Sequence, residues 1–366
     1  MKRLLIGLLI AAGLVAGAAA VTAWLAWQRL QRPFGDPAAE HIFDVPEGSS
    51  AQLILARLEA EGILADRRLA RLYLIHGMGD PALRAGEYHF SGPLSTVQVL
   101  ERLVHGEVLR HSITVVEGLF LEQTATVLAA SELAEEEALL AAMRDPAGIR
   151  DLDPQAEDLE GYLFPDTYHF TRGMSAEAMV AAMVGNFRRR LEQESLGVGD
   201  LRALVTLASI VEKEAAVDAE RPAIAGVYRN RLDQGIALYA DPTVIFGLRR
   251  AGRWDGNLTR EGLRFDTPYN TYLHAGLPPG PICSPGLASL QAAARPADVP
   301  YLYFVSRNDG SHVFASTLSE HNRNVARWQR AYWRQRWQAA AAGESAESAP
   351  PAAAETPADD DAARPP

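Results

Sequence analysis

LRALVTLASIVEKEAA, residues Leu201–Ala216, decides how this chain is read. Leu204, Leu207, Ala208 and Val211 recur at three- and four-residue steps, the period of one buried helix face. The run closes on two glutamates, Glu212 and Glu214. Apolar surroundings disfavour the charged form of a carboxyl group, and a raised pKa suits a general acid working near neutral pH. Glu212 follows Ala208 by four positions and Glu214 follows Val211 by three, so periodicity leaves either one beside the apolar stripe. The plainer alternative is two solvated glutamates on an ordinary helix. Lys213, between them, is expected to face solvent.

Working outward, Glu160–Tyr168 reads EGYLFPDTY, Leu238–Gly247 reads LYADPTVIFG, and Thr267–Gly286 reads TPYNTYLHAGLPPGPICSPG. Tyr301–Asn322 reads YLYFVSRNDGSHVFASTLSEHN. Together with ASIVEKEA, and in this order, these segments resemble the endolytic murein (peptidoglycan) transglycosylases of the bacterial envelope. The resemblance runs from the N-terminal apolar segment to about Trp328 and leaves out the tail after Trp337. It implies an enzyme that cleaves the β-1,4 bond between N-acetylmuramic acid and N-acetylglucosamine without water, leaving 1,6-anhydromuramic ends. It also implies that the first glutamate of VEKE, Glu212, is catalytic, with Glu214 in reserve. One carboxyl group can serve both steps of such a reaction. Protonated, it gives a proton to the departing oxygen; ionised, it takes one from the muramic C6 hydroxyl, a nucleophile held in the same sugar. The two-carboxylate arrangement of most glycosidases is then not required.

Other residues carry weaker signals. Pro242 is expected to stop regular structure, leaving Asp241 and Thr243 on a turn that faces a groove, or on an Asx turn in which Asp241 caps its own backbone. Tyr269, Asn270 and Tyr272 sit in a Pro/Gly-rich segment. Asn270 could meet an acetamido group and the tyrosines a sugar face, or the same groups could lock their own loop. Gly276–Gly286, with four prolines, reads as a stiff groove wall. Tyr162, Phe164 and Tyr168 could pack as an interdomain hinge or stack on a sugar, with packing favoured for Phe164.

The chain is acidic, with net charge −11, which argues against binding nucleic acid through its phosphates. The lone cysteine, Cys283, permits no internal disulfide and reads as inert. No HExxH, GxxxxGK[ST] or GxGxxG pattern occurs, so neither a metal nor a cofactor is expected. Leu4–Trp27 carries no charge over 24 residues, enough to cross about 30 Å of hydrocarbon. Lys2 and Arg3 precede it and Trp24 and Trp27 follow the pattern of an interfacial belt. A cleaved signal peptide is the alternative, since Gly17–Ala20 offers small residues, but the apolar run is long for one.

The expected class is α+β: an N-terminal membrane helix, a small LysM-like α+β subdomain, and a mostly helical catalytic domain with small β-sheets. The expected boundaries are 1–30 for the cytoplasmic end and membrane helix, 31–40 for a stalk and 41–110 for the LysM-like subdomain. A connecting α+β segment follows at 111–158, with the best domain boundary in Asp145–Asp158, then a catalytic domain at 159–338. Residues 339–366, rich in Ala, Pro and acids, read as a disordered tail. DVPEGSS at Asp44–Ser50 recurs as TVVEGLF at Thr114–Phe120, each before a helix pattern. The resemblance places the chain in the inner membrane, single-pass, with its catalytic domain in the periplasm. Its partners would be peptidoglycan glycan strands and peptidoglycan synthases. The rivals are a membrane-tethered glycan-binding protein without catalysis, and a hydrolytic muramidase using Glu160, Asp166 or Asp241 as a second carboxylate.

Overall fold

The computed structural model describes residues 2–196, 199–334 and 336, which divide into two units: residues 1–112 with 169–174, and residues 113–168 with the chain from 175 on. In the first unit, α1 (Lys2–Gln31) is an apolar helix whose side chains from Leu5 onward are exposed except near its end. It is long and apolar enough to cross a membrane over Leu5–Gln31. Its end joins the unit through buried Leu30 and through Trp27, whose ring lies 5.8 Å from that of Tyr73.

Next come β1 (Glu40–Val45), α2 (Ala51–Ala60), α3 (Arg67–His76), β2 (Gly86–Ser91) and α4 (Thr96–His105). Strands β1 and β2 pair antiparallel, with Phe43 opposite Tyr88 and His41 opposite Phe90. One face of this ribbon carries Phe43, Val45, Tyr88 and Phe90 into a core with Ile54, Leu55, Leu58, Leu100 and Leu103. That alternation is why a two-stranded sheet survives here: it has a helical layer to cover its apolar face. Ser50 caps α2 and Asp66 caps α3, each accepting from backbone N–H groups of the first turn. Buried Glu87 accepts from His111 Nε2 at 2.5 Å and from Arg172 Nε at 2.9 Å, tying residues 169–174 to this unit.

The chain enters the second unit within β3 (His111–Val115) and leaves it within β4 (Asp166–Phe170), and these two strands pair; Thr114 and Thr167 hydroxyls meet at 2.9 Å. Helices α5 (Leu121–Ala129) and α6 (Glu136–Met143) lie between them in sequence. Compactness does not break at Asp145–Asp158. Leu139, Met143 and Ile149 are fully buried, and α6 packs against α7 (Ala176–Gln193), so the expected connecting segment is part of this unit's core.

The centre is α8 (Leu201–Glu214), packed against α9 (Arg221–Asp233), α10 (Asp241–Arg250) and, most extensively, α12 (Leu287–Ala294); the short α11 (Arg260–Leu263) packs on α10. Val205, Ala208, Ile210 and Val211 of α8 are fully buried. The expectation that Pro242 stops regular structure is overturned. Asp241 opens α10 and Pro242 sits in its first turn, where the missing N–H has no partner to lose and the fixed φ suits a helix. Strands β5 (Tyr303–Ser306) and β6 (His312–Ala315) form a hairpin, with Asn308 and Gly310 at positive φ in its turn. Helix α13 (Leu318–Val325) follows and runs into a π-helical turn at Ala326–Arg330. The expected tail, 339–366, lies outside the described residues.

Candidate active site

A loop laced onto α8 builds the site. The backbone N–H of Ile282 donates to Ser209 Oγ at 3.0 Å, and the Cys283 thiol donates to the Ser209 carbonyl at 3.3 Å. One turn on, the Gly286 N–H donates to Glu212 Oε2 at 2.9 Å. The loop's other edge pairs with the segment after β3: Gly118 N–H donates to Ser284 O at 2.8 Å, and Ser284 N–H to Leu119 O at 2.9 Å. Residues 282–286 are thus held between α8 and residues 118–119. Four prolines in Gly276–Gly286 reduce the entropy lost in ordering this loop. Cys283 is buried, and burial pushes its thiol well above the usual range, so it is no nucleophile.

Both carboxylate oxygens of Glu212 are bonded. Oε1 accepts from Arg221 Nη1 at 3.1 Å, and the two side chains are only 6% and 8% exposed. Gly286 is the N-cap of α12, so Oε2 sits at a helix N-terminus, where a negative charge is favoured. Arg221 opens α9; its Nη1 also donates to buried Ser289 Oγ at 2.6 Å, and its Nε to Asp218 at 3.0 Å. Burial works against the guanidinium's charge, yet Glu212 and Asp218 hold its pKa above the ordinary value. Lys213 is exposed, as expected, and its Nζ reaches Gly118 O at 3.2 Å.

A second carboxylate, which sequence reasoning missed, stands beside this pair. Glu117 lies in the turn after β3, and its carboxyl fills the space where a side chain on Gly286 would project. Burial, then the negative charge of Glu212, push its pKa up, while Arg221 pulls it down. Gly118, at φ 76°, presents its bare Cα to the Glu212 side chain. The signal was in the VEGLF echo, which marked a turn but nothing chemical.

Glu214 belongs to a different cluster. Tyr228 Oη donates to its Oε1 at 3.1 Å, and burial, then the nearby Asp241 charge, push its carboxyl up to about 7. Asp241 accepts from Tyr272 Oη at 2.6 Å, and burial raises its pKa too. Because the folded value of Glu214 is raised from 4.5 to about 7, the folded state holds a proton that the unfolded chain has released. Its contribution is complete below the unfolded value and lost as pH rises through the folded one. We expect wild-type stability to fall between about pH 5 and pH 8 by on the order of 2 kcal/mol more than that of Glu214→Gln. Urea midpoints across that range check this; parallel curves would contradict it.

Asn270 is fully buried, and its amide donates to Leu263 O at 2.9 Å and Phe265 O at 2.8 Å, while its Oδ1 accepts from Tyr272 N–H at 2.9 Å. All of this is internal to its loop. Asn270→Ala leaves those backbone groups without partners and should cost about 2–3 kcal/mol, read as a lower urea midpoint; an unmoved midpoint would contradict it. Buried Thr243, in the first turn of α10, donates to Ala240 O at 2.7 Å and meets Thr271 Oγ1 at 2.9 Å. Tyr269 rests against Phe246, ring centroids 4.8 Å apart, and Tyr272 against Tyr239 at 5.2 Å. Tyr162, Phe164 and Tyr168 are buried as packing residues. Thus Glu212 joins Arg221, Glu117 and Gly286, whereas Asp241, Tyr272 and Glu214 meet in a separate group. Among the described residues, no three His, Cys, Asp or Glu side chains converge as metal ligands would.

A family model described as the YceG-like family matches residues 43–327. An endolytic murein transglycosylase of Bacillus subtilis (strain 168) is 32% identical over 303 residues, covering 76% of this chain and 82% of that protein. One from Streptococcus pneumoniae serotype 2 (strain D39 / NCTC 7466) is 29% identical over 319 residues, covering 77% of this chain but only 57% of that longer relative. The crystal structure of a yceG-like protein from Listeria monocytogenes superposes with a TM-score of 0.50 at 31% identity, over 78% of this chain and 99% of that one.

Proposed function

Because this chain belongs to the YceG-like family, we propose that it is an endolytic murein transglycosylase. It cleaves the muramic–glucosamine β-1,4 bond inside nascent peptidoglycan strands and closes the 1,6-anhydro ring, which ends strand growth. The observation that carries this reading is Glu212, set at the end of a buried helix between Arg221 and the Gly286 N–H. Its dressing supports the base step, in which a carboxylate takes the C6 hydroxyl proton and oxygen O6 closes on C1. In this reading Tyr269 and Tyr272 stack on the strand from a loop that Asn270 fixes, with Asp241 and Thr243 beside them on α10.

The protein sits in the inner membrane by α1, with Lys2 and Arg3 on the cytoplasmic side and the chain after α1 in the periplasm. Anchoring raises its effective concentration at new strands. The β1–α2–α3–β2 part of the first unit is a LysM-like glycan-binding module, and peptidoglycan synthases are the partners that supply the substrate.

A hydrolytic muramidase needs a second carboxylate to activate water or form a covalent intermediate. The expected candidates are engaged elsewhere. Glu160 is buried, accepts from Leu121 N–H at 3.2 Å, and is held well above the usual carboxylate range by that burial. Asp166 is bound by Asn186 at 2.9 Å and Arg190 at 3.3 Å, and Asp241 by Tyr272. Glu117 is the one observation that favours hydrolysis, and product ends separate the two readings. The test of endolytic action is the strand-length distribution after incubation with the full-length protein in detergent. Mid-length fragments appearing from the start support it. Disaccharides alone would contradict it, and unchanged lengths would favour the binding-protein rival.

A further inference from the structure

We propose that two carboxylates share the reaction: Glu117 protonates the departing glycosidic oxygen, and Glu212 takes the proton from the C6 hydroxyl. This rests on the transglycosylase reading above and assigns its proton transfers. Three observations carry it. First, the two side chains converge on one residue, Gly286, whose N–H binds Glu212 and whose bare Cα faces the Glu117 carboxyl. Any side chain at position 286 would displace Glu117.

Second, the two carboxyls are built for opposite tasks. Both oxygens of Glu212 face donors, its side chain is only 6% exposed, and it lies at the N-terminus of α12. Donors on both oxygens suit the ionised form of the group, the form that can take a proton. Glu117 is packed on one side against Gly286 and open to solvent on the other, and among the described residues no donor is hydrogen-bonded to its carboxyl. Its charged neighbours are Glu212, Asp218 and Arg221, two negative against one positive. Such a group can keep a proton and present it outward.

Third, the turn that carries Glu117 is fixed at several points. Gly118 is bonded to Ser284 through its N–H and to Lys213 through its carbonyl, and Leu119 is bonded to Ser284. Such fastening suits a group that must meet one oxygen of a bound strand.

The step balances without water. The Glu117 proton goes to O4 of the leaving glucosamine as the C1–O4 bond breaks. Oxygen O6 forms the new bond to C1, and its proton goes to Glu212. The proton then passes from Glu212 to Glu117, directly or through solvent, and the site is reset.

The test compares full-length wild type with Glu117→Gln and Glu117→Ala on two substrates: native glycan strands, and a short strand ending in a 2,4-dinitrophenyl β-muramoyl glycoside. Dinitrophenolate leaves without being protonated. Both variants should lose about 100-fold or more on native strands and stay within a few-fold of wild type on the dinitrophenyl substrate, which also shows that they are folded. Glu212→Gln should fail on both. Wild-type rates of Glu117→Gln on native strands would overturn the assignment, as would an equal loss on both substrates by both variants. Reducing ends from the wild type would remove the transglycosylase reading, and this proposal with it.

Discussion

Glu212→Gln is expected to lower the release of anhydromuramic ends by about a thousand-fold or more. General acid–base transfer is worth about 10²–10⁴ in rate, and Gln can neither give nor take the proton. Glutamine keeps the shape, and its carbonyl oxygen can still accept from the Gly286 N–H. Its amide would then face Arg221, a donor against a donor, so a modest loss of stability should accompany the kinetic one. Strand binding should persist, because the change removes only the chemistry. Quantifying ends released per enzyme, beside a pull-down of labelled strands, checks both halves. A variant that cleaves at the wild-type rate would remove Glu212 from the reaction.

Arg221→Met should cost about 3–5 kcal/mol of stability, the usual result of stranding one charge of a buried pair. Glu212 is 6% exposed and has Arg221 as its cationic partner at 3.1 Å. The substitution also takes the donor from Ser289 and from Asp218. Methionine is similar in length and apolar, so the loss reports charge more than volume. Adding Glu212→Gln should recover a large part of it, since the second change removes the stranded charge. Urea unfolding of the full chain in detergent would measure all four species. Additive losses would mean that the two groups do not depend on each other and that solvent screens the pair.

Local signals were readable wherever one element decides them. The period of α8 put Leu207, Ala208 and Val211 on its buried face, though it left Glu212 and Glu214 equally close to that stripe. Pro242 was misread because proline breaks a helix interior but suits a first turn, and the sequence pattern does not distinguish the two. Asn270 shows a different limit. Its amide could bond a ligand or its own loop, and only its complete burial, a property of tertiary packing, shows where those bonds go. Glu117 was illegible for a third reason. Glu117, Glu212 and Gly286 come from three elements far apart in sequence, so no period or spacing links them. Of the two VEKE glutamates, the resemblance singled out Glu212, while burial and partners put Glu214 with Tyr228 and Asp241 instead.

The central claim is that an internal hydroxyl, not water, attacks the anomeric carbon in a site organised by Glu212. Mass spectrometry of product ends formed by the full-length protein in ¹⁸O-labelled water tests it most directly, with Glu212→Gln alongside. The account predicts anhydromuramic ends carrying no ¹⁸O from the wild type and no new ends from the variant. Reducing ends that carry ¹⁸O, or anhydromuramic ends formed by Glu212→Gln at the wild-type rate, would contradict it.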